Sequence, residues 1–217
     1  MRQIVSKIFR LLFGFIFCSC STVMALNSNI GLSPWDVFHQ GISNITGLTI
    51  GQASITVGVI IVIITLILKL EIGLGTIANM ILIGSFIDLI NYIGIIPESG
   101  DLFSGILMLI CSLFMNAIGT YLYIGSEMGC GPRDGLMIAL VKISGKSVGL
   151  IRFYIELGAL SIGWILGGTV GIGTLITVIG LGYCLQIVFK IFKFDVNTLK
   201  HKSIKESFVF LNRCINK

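Results

Sequence analysis

Two stretches of this 217-residue chain repeat one pattern of Gly, Pro and Asp. Gly31-Leu-Ser-Pro-Trp-Asp36 registers on Gly129-Cys-Gly-Pro-Arg-Asp134 at an offset of 98 positions. The match continues without a gap. Pro34 falls on Pro132 and Asp36 on Asp134. Thr46-Gly47-Leu-Thr-Ile-Gly51 falls on Ser144-Gly145-Lys-Ser-Val-Gly149, Gly73-Leu-Gly-Thr76 on Gly171-Ile-Gly-Thr174, and Gly84 on Gly182. This is an internal duplication, so each half has to build the same local structure. Each stretch is a break of small residues, Pro and Asp set into an otherwise apolar chain.

The surroundings of those breaks fix the solvent. Mean hydropathy is +1.00 and only 12% of residues are charged, about half the usual fraction. A water-soluble surface needs more polar side chains than that. Several apolar runs reach or exceed the roughly 18 residues that read as a membrane span. The chain is therefore expected to be an all-α polytopic membrane protein. Its net charge of +5 is spread over the N-terminus, the 133–146 region and the tail. That is a topology signal rather than a nucleic-acid patch. The six cysteines lack ligand spacing and read as small apolar packing residues, with no metal, cofactor or disulfide framework expected.

In order, a basic N-terminus (1–10) precedes a first apolar run from Leu11 to about Ile30. Thr22-Val-Met-Ala25 resembles a signal-peptide cleavage site, but the repeat aligns this run with 102–124, so it is read as a retained span. Segment 31–49 is too short and polar to cross easily. Ser33 as cap, Pro34 at the first helical position, Asp36 in the first turn and Gly47 at the end predict a helix of about three turns, interfacial or re-entrant. Further spans are expected near 50–70, 76–96, 102–124, 148–166 and 174–192, with the second break at 129–147. Repeat 1 covers 11–96, repeat 2 covers 102–192, and 193–217 is a basic tail whose Phe208-Val-Phe-Leu211 could lie on a membrane surface.

Lys and Arg placement sets the topology. The start, Lys69, Arg133/Lys142/Lys146 and the tail are expected inside. The 31–49 segment, which has no Lys or Arg, the uncharged Gly167–Gly173 turn and the acidic Pro97–Asp101 turn are expected outside. Three spans per repeat is an odd number, so the halves should insert in opposite senses. Two inverted-topology repeats of three spans, each with a short broken or re-entrant helix after its first span, are the arrangement of many transporters.

Candidate site residues follow. Asp36 and Asp134 start the two short helices and could face a shared central site, as cation, amine or proton carriers; each could equally cap its own helix. Arg152 and Glu156 share one face of the fifth span, as a functional pair or a structural ion pair. Asp88 registers on Gln186, a polar side chain at one depth in each half, with Asn116 a weaker candidate. Interhelical hydrogen bonding is the alternative reading for these. His39 reads as an interfacial histidine before a proton switch, and Trp35 as an interface anchor. Pro34, Gly47, Gly75, Pro132, Gly145 and Gly173 read as structural. The Gly-x-x-x-Gly pairs 47/51, 145/149, 163/167 and 167/171 suit close helix crossing.

Taken together, Gly31-Leu-Ser-Pro-Trp-Asp36, Thr46-Gly47, Gly73-Leu-Gly-Thr76, Gly84 and Asp88, Gly129-Cys-Gly-Pro-Arg-Asp134-Gly135, Arg152 and Glu156, Gly163-Trp-Ile-Leu-Gly-Gly168 and Gly171-Ile-Gly-Thr174 resemble the YczE-like family of bacterial integral membrane proteins, grouped with the YyaS and YitT proteins. The resemblance covers about 31–182 and implies a bacterial plasma membrane protein, whose termini the Lys and Arg placement puts in the cytoplasm. It supplies no activity. The residues themselves point to a small-solute or ion transporter with a midplane site between inverted repeats, acting alone, as a homodimer or with a partner subunit. A non-transporting assembly or sensing partner is the alternative. A membrane-embedded enzyme using Asp36/His39 or Arg133/Asp134 is the weakest class, since no hydrolytic constellation is present.

Overall fold

The computed structural model describes residues 2–68, 73–129 and 131–194. The expected positions of Lys69 and of most of the 193–217 tail, its apolar patch included, lie outside the described residues. Among those described, eight helices follow one another: α1 (Arg2–Asn27), α2 (Pro34–Thr46), α3 (Ile50–Ile67), α4 (Leu74–Ile93), α5 (Leu102–Ile124), α6 (Pro132–Ser144), α7 (Val148–Ile165) and α8 (Ile172–Ile191). The duplication is reproduced to the residue: α2 maps on α6, α3 on α7 and α4 on α8 at the same offset of 98. Six helices, all but α2 and α6, are long and apolar enough to cross a membrane. At 1.5 Å per residue the shortest of them still spans about 27 Å.

The local signals explain the short helices. Ser33 sits in an extended conformation and its Oγ accepts the Asp36 N–H; Pro34 opens α2 and Gly47, at φ 73°, closes it in the left-handed region. Gly145, at φ 65°, closes α6 the same way. At α5, Asp101 caps through Ser104, whose hydroxyl holds the Asp101 carboxyl below its ordinary pKa.

The first helices of the two halves pack against each other. α1 and α5 run antiparallel, with Gly14 against Gly119, and Ser21 Oγ donating to the Ser112 carbonyl at 2.8 Å. These two contacts exchange under the repeat offset, since Gly14 maps on Ser112 and Ser21 on Gly119. A second pair behaves likewise. The Gly75 N–H donates to the Met128 carbonyl and the Gly173 N–H to the Ile30 carbonyl, both at 2.8 Å. Each half thus holds the break of the other half with the first turn of its own last helix. Gly31 and Gly129, at φ 121° and 134°, make the turns that allow this approach.

Phe15, Leu11, Cys18 and Tyr123 form one core cluster, Ala25, Leu32, Val37 and Leu109 a second, and Leu113, Ala117, Cys184 and Val188 a third. All three gather on α1, α5 and the elements beside them. The outward faces carry Phe103, Trp164, Ile165 and Ile67, each more than two-thirds exposed, as expected where the surrounding solvent is lipid tails. Lys7 bridges Glu127 at 2.7 Å and Arg10 lies over the Tyr121 ring. These contacts mark the face where α1 begins and α5 and α8 end. Asn27 and Ser99 mark the opposite face.

The glycine pairs divide. Gly51, Gly163 and Gly171 sit in close contacts, but Gly47, Gly145 and Gly149 have nothing within 4 Å of an added Cβ, and Gly167 has only the Asn44 amide at 3.8 Å. The expectation of tight crossing at every pair is corrected: Gly47 and Gly145 serve as left-handed helix ends instead. A methyl added at Gly119 would meet Cys18 Sγ at 2.7 Å and the Gly14 carbonyl oxygen at 2.9 Å. Gly119→Ala is therefore expected to destabilise the purified protein by about 1–3 kcal/mol, whereas Gly149→Ala should be neutral or stabilising by up to about 1 kcal/mol. Thermal unfolding of both variants in one detergent checks the opposite signs.

Candidate functional site

α2 and α6 each begin inside the bundle and end near one face. Their first turns converge on a cavity of about 620 Å³ to which all eight helices contribute. The side chains there are placed by the caps just described. Asp36 is 9% exposed, and the Ser33 hydroxyl that caps α2 also donates to its Oδ2 at 2.5 Å. One turn further on, His39 is only 2% exposed. Its Nδ1 lies 3.8 Å from Asp36 Oδ1, beyond hydrogen-bond reach, and has no hydrogen-bond partner.

The other half supplies a different chemistry from the same position. Gly131 stands where Ser33 stands, and α6 has no side-chain cap. Asp134 accepts from the Tyr123 hydroxyl at 3.3 Å. Arg133, which maps on Trp35, places its guanidinium 4.8 Å from the Trp35 ring centroid, a cation–π contact between repeat-related residues. Its charge is felt by both Asp36 and Asp134. In a low-dielectric interior an ionised group is expensive unless paired. Here a guanidinium, two carboxylates and two helix N-termini offset one another.

Arg152 and Glu156 bridge at 2.9 Å and also line the cavity, as does Asn116. Thus Asp36, Asp134, Arg152, Glu156 and Asn116 are brought to one space. Asp88 and Gln186 are not in it. The Asp88 carboxylate instead accepts the Gly51 N–H at 2.9 Å and the Thr49 hydroxyl at 2.5 Å, at the N-terminus of α3. Gln186 is exposed on α8. Pro34 and Pro132 open their helices, Gly47 and Gly145 close them, and Gly75 and Gly173 donate across to the facing break.

Trp35 and His39 were expected at an interface; both line the cavity, and His39 is among the most deeply buried side chains of the chain. Arg133 was named only for the enzyme alternative, and Tyr123 was missed as a site residue. The duplication carried a signal for Arg133, because it replaces an aromatic between a proline and an aspartate that both repeat. Nothing local marks Tyr123.

A helical bundle with six helices of membrane-spanning length, apolar outer faces and an internal cavity that holds charged side chains in its wall is a multi-pass integral membrane protein. The chain belongs to a family of unknown function, DUF6198, whose model matches residues 5–190. It is a YczE-like protein. It is 36% identical over 158 residues to the uncharacterised membrane protein YczE of Bacillus subtilis, covering 72% of this chain and 73% of that one. It is 32% identical over 181 residues to an uncharacterised protein of Haemophilus influenzae, covering 83% and 82%, and 30% identical over 183 residues to the uncharacterised protein YyaS of Bacillus subtilis, covering 82% and 90%. No solved structure matches.

The α2 cap is a single hydroxyl shared between a backbone N–H and the Asp36 carboxylate. Ser33→Ala should lower stability by about 1 kcal/mol, and Ser33→Thr should restore most of it. A denaturation midpoint for each variant checks this.

Proposed function

We propose that this protein moves a small solute or ion across the bacterial plasma membrane, through a site between two repeats of inverted topology. The observation that carries the reading is the meeting of Trp35 and Arg133, one position in two repeats, on the wall of one cavity. Residues related by the offset touch only where a pseudo-two-fold axis passes. The antiparallel crossing of α1 on α5, with contacts that exchange under the same offset, supports an axis lying in the membrane plane. α2 and α6 are then half-helices entering from opposite sides, with their positive ends and Asp36 and Asp134 turned to the solute. Arg133, held between carboxylates and an aromatic face, is the group a charged solute would compete with or pair to. The face where α1 begins is read as cytoplasmic from its lysines and arginines.

Two experiments test this. Single cysteines at Gly100 and at Lys146, in a cysteine-free background, should label from opposite sides of intact cells and inverted vesicles. Labelling from one side sinks the inverted repeat. A thermal-shift screen of the purified protein against amines, amino acids and inorganic ions should yield a stabilising solute. Arg133→Gln and Asp134→Asn should each weaken its binding by tenfold or more, and uptake by proteoliposomes should fall with it. A solute that binds both variants as well as the parent places the site elsewhere.

A further inference from the structure

The two halves share one sequence plan but do not adopt one packing. In the first half α3 closes on α4. A Cβ on Gly84 would meet the Gly51 carbonyl oxygen and Ile55 Cγ1, each at 2.6 Å, and a Cβ on Gly58 would meet Met80 Cγ at 2.5 Å. Asp88, one turn beyond Gly84, clasps the start of α3 through the Gly51 N–H and the Thr49 hydroxyl. The offset converts these residues to Gly149, Gly182, Glu156, Val178, Gln186 and Ser147. In the second half none of the same contacts is made. A Cβ at Gly149 or at Gly182 meets nothing within 4 Å, Ser147 makes no side-chain cap bond, and α7 is not packed on α8 as α3 is on α4.

The cavity follows this difference. It runs along α8 past Gly182 and Leu185 to Phe189, while the equivalent α4 positions, Gly84, Ile87 and Asn91, do not line it. Its parted wall therefore lies toward the face where α1 begins and α8 ends, and its sealed wall lies toward the opposite face. The parts for sealing the parted side are present: two glycines at the same spacing, on helices of the same lengths, with a hydrogen-bonding side chain one turn beyond.

We propose that the two helix pairs exchange arrangements. In the second conformation α7 closes on α8 through Gly149 and Gly182, and the Gln186 amide oxygen accepts the Gly149 N–H. At the same time Asp88 releases Thr49 and Gly51, and α3 parts from α4. The cavity then opens to the other face. The inference rests on the inverted-repeat reading and supplies the motion that transport needs. The two clasps are unequal. A carboxylate on a helix N-terminus makes charge-assisted hydrogen bonds and meets the positive end of the helix; an amide does neither as strongly. The closed α3–α4 arrangement is accordingly the resting one, and Asp88 sets that bias.

Cysteine cross-linking in native membranes tests it. In a cysteine-free background, Gly58→Cys with Met80→Cys puts two Cβ atoms about 3.4 Å apart once the Met80 chain is gone, close to disulfide geometry. The matched pair in the other half is Glu156→Cys with Val178→Cys. Under one mild oxidant the first pair should close fast and the second slowly but to completion. Asp88→Asn should speed the second pair and slow the first, each by several-fold. Gln186→Glu, an exposed position, should also speed the second pair, and it carries the test alone if Asp88→Asn does not fold. The inference is overturned if the second pair stays reduced in every background while the first closes fully, or if neither substitution changes either rate. Cross-linking needs no solute, so a failure to find a transported solute leaves this result standing, and a failure to cross-link leaves solute binding in the cavity untouched.

Discussion

The crossing of α1 on α5 is the constraint on which the rest of the molecule depends. Lipid tails are as apolar as leucine, so helices in a bilayer gain little by hiding apolar side chains from it and associate instead through close packing. Gly14 on Gly119 and Ser21 on Ser112 let the two backbones approach. Because each contact maps on the other under the duplication, one crossing fixes the relation of the two halves. α4 and α8 then lie along its flanks, and their first turns reach across to hold the opposite breaks at Gly31 and Gly129.

That arrangement is what permits charge in the interior. A lone Asp or Arg at this depth would be costly, yet α2 and α6 deliver two carboxylates and a guanidinium to one cavity. Convergence makes the cost tolerable: the guanidinium sits on the Trp35 face and near both carboxylates, and each carboxylate lies in the first turn of its own helix. His39 stands apart. Buried beside Asp36 with an unpartnered nitrogen, it is a polar group whose position is dictated by the helix turn and not by any hydrogen bond of that nitrogen.

The departures from symmetry are as informative as the symmetry. The halves agree at the prolines that open α2 and α6, the glycines that close them and the first turns of α4 and α8, and there the residues are structural. Where they differ, Trp35 against Arg133, Ser33 against Gly131 and Gly58 against Glu156, the residues line the cavity, while Asp88 clasps α3 and its counterpart Gln186 is exposed. Duplication supplied a frame that carries Asp36 and Asp134, and the positions that diverged from it make the two sides of the cavity unlike.

Much of the frame was legible in the chain because it is local. Ser33-Pro34 before Asp36 caps a helix by contacts within four residues, Gly47 and Gly145 end helices by their own backbone freedom, and span lengths follow from apolar runs. The offset of 98 likewise needed no structure. The gathering of Asp36, Asp134, Arg152, Glu156 and Asn116 was only an expectation, since five residues spread over 120 positions meet only if the helices pack one way. Tertiary structure alone decided that Asp88 clasps α3 and does not line the cavity, that His39 is buried, that Arg133 lies on Trp35, and that Gly51 is pressed against its neighbour while Gly149 faces open space. The sequence determined which elements form and how they repeat, because those depend on near neighbours and on the lipid solvent. Which of two equivalent helix pairs is closed depends on contacts between distant segments, and the glycine pattern that the two pairs share cannot by itself distinguish them.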